Sequence, residues 1–187
     1  MTDRTTRLGW LGVVADLALA LVLGAFVQSL AGGHGLDAVP RSLDLLALYA
    51  APGVVAACGL AGGRRSFVIG AALALVPGSV LSMAGATLVF VVPIVLLGAG
   101  AASMGRTTTG RGVEVVEELV TAMLLVGAGI AMLGVTSSGC SASGDVCGSG
   151  NLTVGGFAIE LGLLAAAIAV AAWRSGLLRG VAGRPAS

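Results

Sequence analysis

Two carboxylic acids, Asp16 and Glu160, lie inside long apolar stretches of this 187-residue chain, and of all its residues they have the greatest capacity for chemistry. A charged acid in hydrocarbon costs at least about 2.5–3.5 kcal/mol on insertion scales, so each must be neutral, solvated or bound. An acid in such a place can carry a proton or a cation across a bilayer. It can also act as glue, hydrogen-bonded in its neutral form to a hydroxyl on a neighbouring helix. No Lys, Arg or His falls within the apolar stretches, so neither acid has a cation beside it in sequence.

Helical rise converts sequence position into depth. Asp16 lies roughly 9 Å beyond Trp10, which is placed as an anchor at the inner interface. Glu160 lies about 10 Å from the opposite face, counted from Thr153. The two acids are then on the order of 10 Å apart in a core about 30 Å thick, which excludes a catalytic pair. By the same count Tyr49 and Ser79 share the level of Glu160, and Glu160 is expected to be protonated at neutral pH and hydrogen-bonded within that layer. Glu118 and Thr121 fall near Asp16 and make a second polar layer. Glu114 and Glu117, at the start of the same helix as Glu118, read as a solvated collar that suits the helix dipole and can meet Arg106 and Arg111.

The residue types that enzymes need are missing from these patterns. The only histidine, His34, lies in a loop, so the Glu-x-x-His pairs of a carboxylate metal cluster cannot form and no metal site is expected. The segment from Gly105 to Gly112 has the glycine spacing of a phosphate loop, but Arg111 stands where the lysine belongs and Gly112 where the Ser or Thr that holds magnesium belongs. There is no Cys-x-x-Cys, no dinucleotide fingerprint and no Ser-His-Asp set, so neither an enzyme nor a cofactor is expected. Cys140 and Cys147 enclose a short Ser/Gly/Ala loop, and a disulfide between them is expected because that loop is assigned outside, where such bonds persist. Cys58, within an apolar stretch, is left unpaired.

The elements that position these residues are fixed by the arginines. Nine of the ten fall in four clusters: Arg4 and Arg7; Arg64 and Arg65; Arg106 and Arg111; and Arg174, Arg179 and Arg184. Successive clusters are separated by enough apolar chain to cross a bilayer twice, and Lys and Arg are retained on the cytoplasmic side during insertion. The pattern predicts an all-α, polytopic membrane bundle with both termini cytoplasmic. Its six spans cover about 9–31, 43–61, 66–84, 86–103, 113–135 and 153–173, with an extracytoplasmic loop over 136–151. A composition 57% hydrophobic and 10% charged agrees, because a soluble domain carries roughly a quarter charged residues. The first apolar run, Leu8 to about Ala31, exceeds the roughly 7–15 residues of a signal-peptide core, so an uncleaved first span is expected.

Helices in lipid gain little from hydrophobic association and need close backbone approach. Gly70, Ala74, Gly78 and Ser82 form a small-residue stripe on the third span, and Ala158, Gly162 and Ala166 form another on the sixth. Pro52, Pro77 and Pro93 fall within successive spans as kinks, or as the broken helices that transporters place around a midplane site. The expected partners are the bilayer and another membrane protein or a second copy; no basic patch for nucleic acid is present. The sequence therefore reads as a non-enzymatic subunit or scaffold in a plasma membrane, with arginine in place of lysine suggesting a GC-rich bacterial source. The alternative is a small permease, or the substrate-capturing membrane subunit of a transporter, using Glu160, Asp16 or both.

Overall fold

A computed structural model describes residues 2–30, 38–81, 87–104, 111–135, 138–140, 147–149 and 154–177. Side chains are described over 6–26, 29, 45–77, 79, 90–104, 112–131 and 157–177. Six helices account for almost all of this: α1 Thr2–Leu30, α2 Ala38–Ala61, α3 Arg65–Leu81, α4 Thr87–Ser103, α5 Arg111–Val135 and α6 Val154–Arg174. The fold is all-α, with one small addition. Between α5 and α6, β1 Ser138–Cys140 and β2 Cys147–Ser149 pair antiparallel, a ribbon within the stretch expected to be irregular.

Helix α2 begins at Ala38, earlier than its expected start at 43, and takes in Pro40. Proline is tolerated in a first helical turn because the amide hydrogens there have no helical acceptor in any case. Pro52, Pro77 and Pro93 lie inside α2, α3 and α4, each of which continues through its proline. The prolines therefore sit in continuous helices and do not break them. Helix α2 ends where Gly63 takes φ +65°, with the Arg64 N–H donating to the Gly59 carbonyl and the Gly63 N–H to that of Leu60. This left-handed glycine cap turns the chain directly into α3.

Helix α1 packs against α2 and α4, α3 packs against α2, α4 and α5, and α6 packs against α5 and α2. Helices α3 and α4 are separate and lie side by side, which rules out a single bent helix. Close contacts give the directions. Gly9 meets Gly100 and Gly12 meets Leu97, so α1 and α4 are antiparallel; Gly9 meets Leu60 and Gly53 meets Asp16, so α1 and α2 are too. Ser66 meets Glu117 and Gly70 meets Thr121, which makes α3 and α5 parallel. The start of α1, the end of α2, the start of α3, the end of α4, the start of α5 and the end of α6 thus share one end of the bundle.

Several of the closest approaches between helices are made by glycines outside the two small-residue stripes. A Cβ on Gly100 would stand 2.5 Å from the Gly9 Cα, and one on Gly12 would stand 2.9 Å from the Leu97 amide nitrogen. Gly70 does serve as a contact, with a virtual Cβ 2.9 Å from that of Thr121, and Ala74 is half-buried. The surroundings of position 78 and the whole of Ser82 lie outside what the structure describes. The α6 stripe makes no seam within the chain: Ala158 and Gly162 are exposed, nothing lies near a Cβ on Gly162, and Ala166 is half-buried. Helix α6 instead turns Glu160, Leu164, Ala167 and Ala171 inward.

Among the described residues two helices contain segments long and apolar enough to cross a membrane, Thr6–Phe26 and Phe157–Arg174; Leu45–Ala61, Arg65–Pro77 and Phe90–Ser103 are apolar but shorter. The core is built from Val55, Phe67, Val68, Phe90 and Leu97. Outward lie Leu11, Val14, Leu21, Val22 and Phe26 of α1, and Val116, Leu119, Met123 and Ile130 of α5.

Candidate functional site

Asp16 projects from α1 into the junction with α2 and α4. It is 1% exposed, and the backbone of Gly53 supplies an amide hydrogen bond to its carboxyl. The fit depends on the absence of a side chain at Gly53, where a Cβ would stand 2.7 Å from Asp16 Oδ2. Asp16 Oδ2 is buried without a hydrogen-bond partner among the described residues. The α1–α4 register that joins Gly9 to Gly100 and Gly12 to Leu97 brings Pro93, fully buried, to the level of Asp16. Pro52 is buried beside Gly53 in α2.

Glu160 is completely buried on α6. The α5–α6 register, seen in the approach of Gly127 to Leu163, puts Glu160 level with Ile130. The parallel α3–α5 register carries Ser79 to that same level. Ser79 is buried, and its hydroxyl donates to the Val76 carbonyl at 2.7 Å in the turn above Pro77. Tyr49 turns its ring toward α4, where it meets Phe90 at 5.6 Å between centroids in a tilted contact.

The residues of the second layer separate onto two seams. Thr121 is buried against Gly70 on the α3–α5 seam, and Glu118 is half-buried on the same helix, within the electrostatic reach of Arg65 and Glu114. Asp16 belongs to the α1–α2–α4 junction.

Glu117 is held by several partners at the arginine end of the bundle. Its place in the sequence suits a solvated collar facing Arg106 and Arg111, yet its side chain is only 10% exposed. Its Oε2 accepts a 2.8 Å bond from the Ser66 hydroxyl, and its Oε1 accepts Arg174 Nε at 2.8 Å together with Arg174 Nη2. Arg64 Nη1 lies 3.8 Å from the same oxygen. One carboxylate thus ties the ends of α3, α5 and α6 together. Its partners lie far away in sequence, so no local spacing pointed to them.

Cys140 and Cys147 are directly opposed residues of the β1–β2 ladder. Opposed residues of an antiparallel pair stand about 4.5–5.5 Å apart at Cα, inside the range a disulfide spans. Their side chains lie outside the described residues; Cys58 is a free thiol, half-buried on α2. Among the described residues no three His, Cys, Asp or Glu side chains gather as metal ligands.

Comparison with protein families finds no matching model, and neither the curated proteins nor the solved structures contain a match to this chain.

Proposed function

We propose that the chain is a six-span integral membrane protein, with the arginine-bearing end of the bundle cytoplasmic, that serves as a non-enzymatic subunit or scaffold of a larger assembly. The observation that carries this reading is the inverted distribution of polarity. Asp16, Ser66, Ser79, Thr121 and Glu160 are buried, while large apolar side chains such as Leu11, Val22, Val116 and Met123 are exposed around the outside. Water would penalise that surface at about 25 cal/mol per Å², whereas lipid imposes no such penalty. The plasma membrane as location and the bond between Cys140 and Cys147 on its outer face belong to the same proposal.

A scaffold needs its membrane acids sealed by neighbouring helices, and the burial of both Asp16 and Glu160 supports that. The open Ala158–Gly162 face of α6 is available for a partner helix. The second reading, a small permease or the substrate-capturing subunit of a transporter, is favoured by one observation, the unsatisfied Asp16 Oδ2. Membranes from cells expressing the chain at native level test both. The protein should resist extraction by alkaline carbonate, and mild detergent should release it in a complex of fixed stoichiometry by native mass spectrometry. Release by carbonate alone would overturn the membrane reading. A lone monomer whose vesicles accumulate a solute would replace the scaffold with the permease.

A further inference from the structure

We propose that Arg64 and Arg174, which share the Glu117 carboxylate, hold the phosphate of one anionic phospholipid at the arginine end of the bundle, with its acyl chains against the outer flanks of α5 and α6. The site rests on the six-span membrane reading and names the class of lipid that this end selects.

The two arginines come from segments far apart in sequence. Arg64 follows the Gly63 cap and precedes α3, and Arg174 is the last residue of α6. The α2–α3 turn is pressed onto the end of α6: a Cβ on Gly62 would stand 2.7 Å from the Ser175 Cα, so a side chain there would separate them. Arg64 Nη1 and Arg174 Nε meet the same oxygen, Glu117 Oε1, at 3.8 and 2.8 Å. The two nitrogens therefore stand less than about 7 Å apart, a gap that one phosphate bridges when two of its oxygens each accept a bond of about 2.7–2.9 Å.

Glu117 cannot satisfy both guanidinium groups. Its Oε2 is taken by Ser66, and Arg174 gives Oε1 two bonds through Nε and Nη2. Arg174 Nη1 and the whole Arg64 guanidinium make no hydrogen bond among the described residues. One carboxylate between two guanidinium groups leaves one positive charge over, and with Arg64 27% and Arg174 42% exposed a ligand can reach it. The other acids at the start of α5 are turned elsewhere, Glu118 toward Arg65 with Glu114 one turn away on the same side. Under the six-span reading the segments at this end carry nine arginines against Asp3, Glu114, Glu117 and Glu118, which adds long-range attraction for an anionic headgroup.

The surface beside the cluster is apolar. Val116 and Val120 of α5 and Val170 and Trp173 of α6 lie within about one turn of Glu117 or Arg174, and all four are exposed. Helix α5 starts at this end and α6 finishes at it, so Val120 and Val170 fall on the bilayer side of the cluster. A soluble phosphate or an acidic peptide would leave these side chains bare. A phospholipid covers them with its chains while its phosphate meets the guanidinium groups, as basic pockets between helices do on the cytoplasmic side of membranes.

The test is native mass spectrometry of the full chain in neutral detergent, titrated with phosphatidylglycerol or with zwitterionic phosphatidylcholine. Wild type should bind one phosphatidylglycerol about tenfold more tightly than phosphatidylcholine, the size of one charge-assisted hydrogen bond. Arg64→Gln, which spares the bonds from Arg174 to Glu117, should abolish that preference. Arg7→Gln, with the same change in net charge at the same end, should keep it. Equal affinity for the two lipids, a preference unchanged in Arg64→Gln, or an equal loss in Arg7→Gln would overturn the site. Displacement of phosphatidylglycerol by inorganic phosphate would make a soluble phosphate the ligand and overturn the lipid. Should Arg64→Gln fail to fold, Glu117→Gln decides. Freeing both guanidinium groups from their carboxylate should tighten phosphatidylglycerol by about fivefold, whereas weaker or unchanged binding would sink the site. In a protein that resists alkaline carbonate, absence of the preference strikes this site alone; release by carbonate would instead remove the membrane reading beneath it.

Discussion

Glu117 and Glu160 show how differently two acids on adjoining helices can be used. Glu117 ends a polar network at the arginine end of the bundle, bridging Ser66, Arg64 and Arg174. Removing its charge leaves two guanidinium groups without their common partner, but Arg174 is 42% exposed and water recovers part of the loss. Glu117→Gln should therefore destabilise the bundle by about 1–2 kcal/mol, less than the 3–5 typical of a fully buried pair. A denaturation series in detergent would read it, and a variant as stable as the wild type would remove Glu117 as the tie between α3, α5 and α6. For Glu160, completely buried, the informative change is Glu160→Gln, which keeps the shape and hydrogen-bonding capacity of a neutral acid. Under the scaffold reading that variant should fold, assemble and function as the wild type does. A folded variant with lost transport would mark Glu160 as a carrier, and an infrared carboxylate band assigned to Glu160 at pH 7 would contradict its expected neutral form.

At the scale of the elements, the seams are set by backbone approach. Gly9 and Gly100 meet closely enough that Gly100→Val must push α1 away from α4, an overpacking that costs typically 1–3 kcal/mol. Gly162→Val, on the open face of α6, should leave the isolated chain as stable or slightly more so, since valine is the better helix former of the two. If the second variant proves the more damaging in purified monomer, the assignment of seams fails. The existence and order of the helices were legible in the sequence, because the apolar runs are long and the arginines punctuate them. The inward faces were not. When nearly every position of a helix is apolar there is no periodicity to read, and among 31 glycines nothing in the sequence distinguishes Gly9 and Gly100 from the open Gly162. The ribbon was hidden for another reason. Ser, Gly and Ala have little strand preference, and the register that opposes Cys140 to Cys147 comes from pairing. If those cysteines are bonded, thiol labelling of unreduced protein should mark Cys58 alone, and reduction should lower stability by roughly 2–3 kcal/mol.

For the whole molecule, alternation of helix direction gathers chemically unlike ends. Arg64 and Arg174 come together with Glu117 at the end shared by the start of α1 and the end of α4, while the ribbon follows the far end of α5. A bilayer converts that polarity into orientation, since arginine-rich ends are retained in the cytoplasm. Reporter fusions then have a fixed expected pattern. A reporter active only outside the membrane should work when fused after His34, Gly85 or Ser143, and stay silent after Arg65, Gly110 or Arg179. Gly110 discriminates best, because it immediately precedes α5, and α5 runs parallel to α3 through the pairs Ser66–Glu117 and Gly70–Thr121. Two parallel neighbours must begin on the same side, so the segment before α5 has to share the compartment of Arg64 and Arg65. An active fusion at Gly110 with a silent one at Arg65 would be incompatible with that pairing as well as with the six-span orientation. Activity at both would instead invert the whole bundle and leave its packing intact.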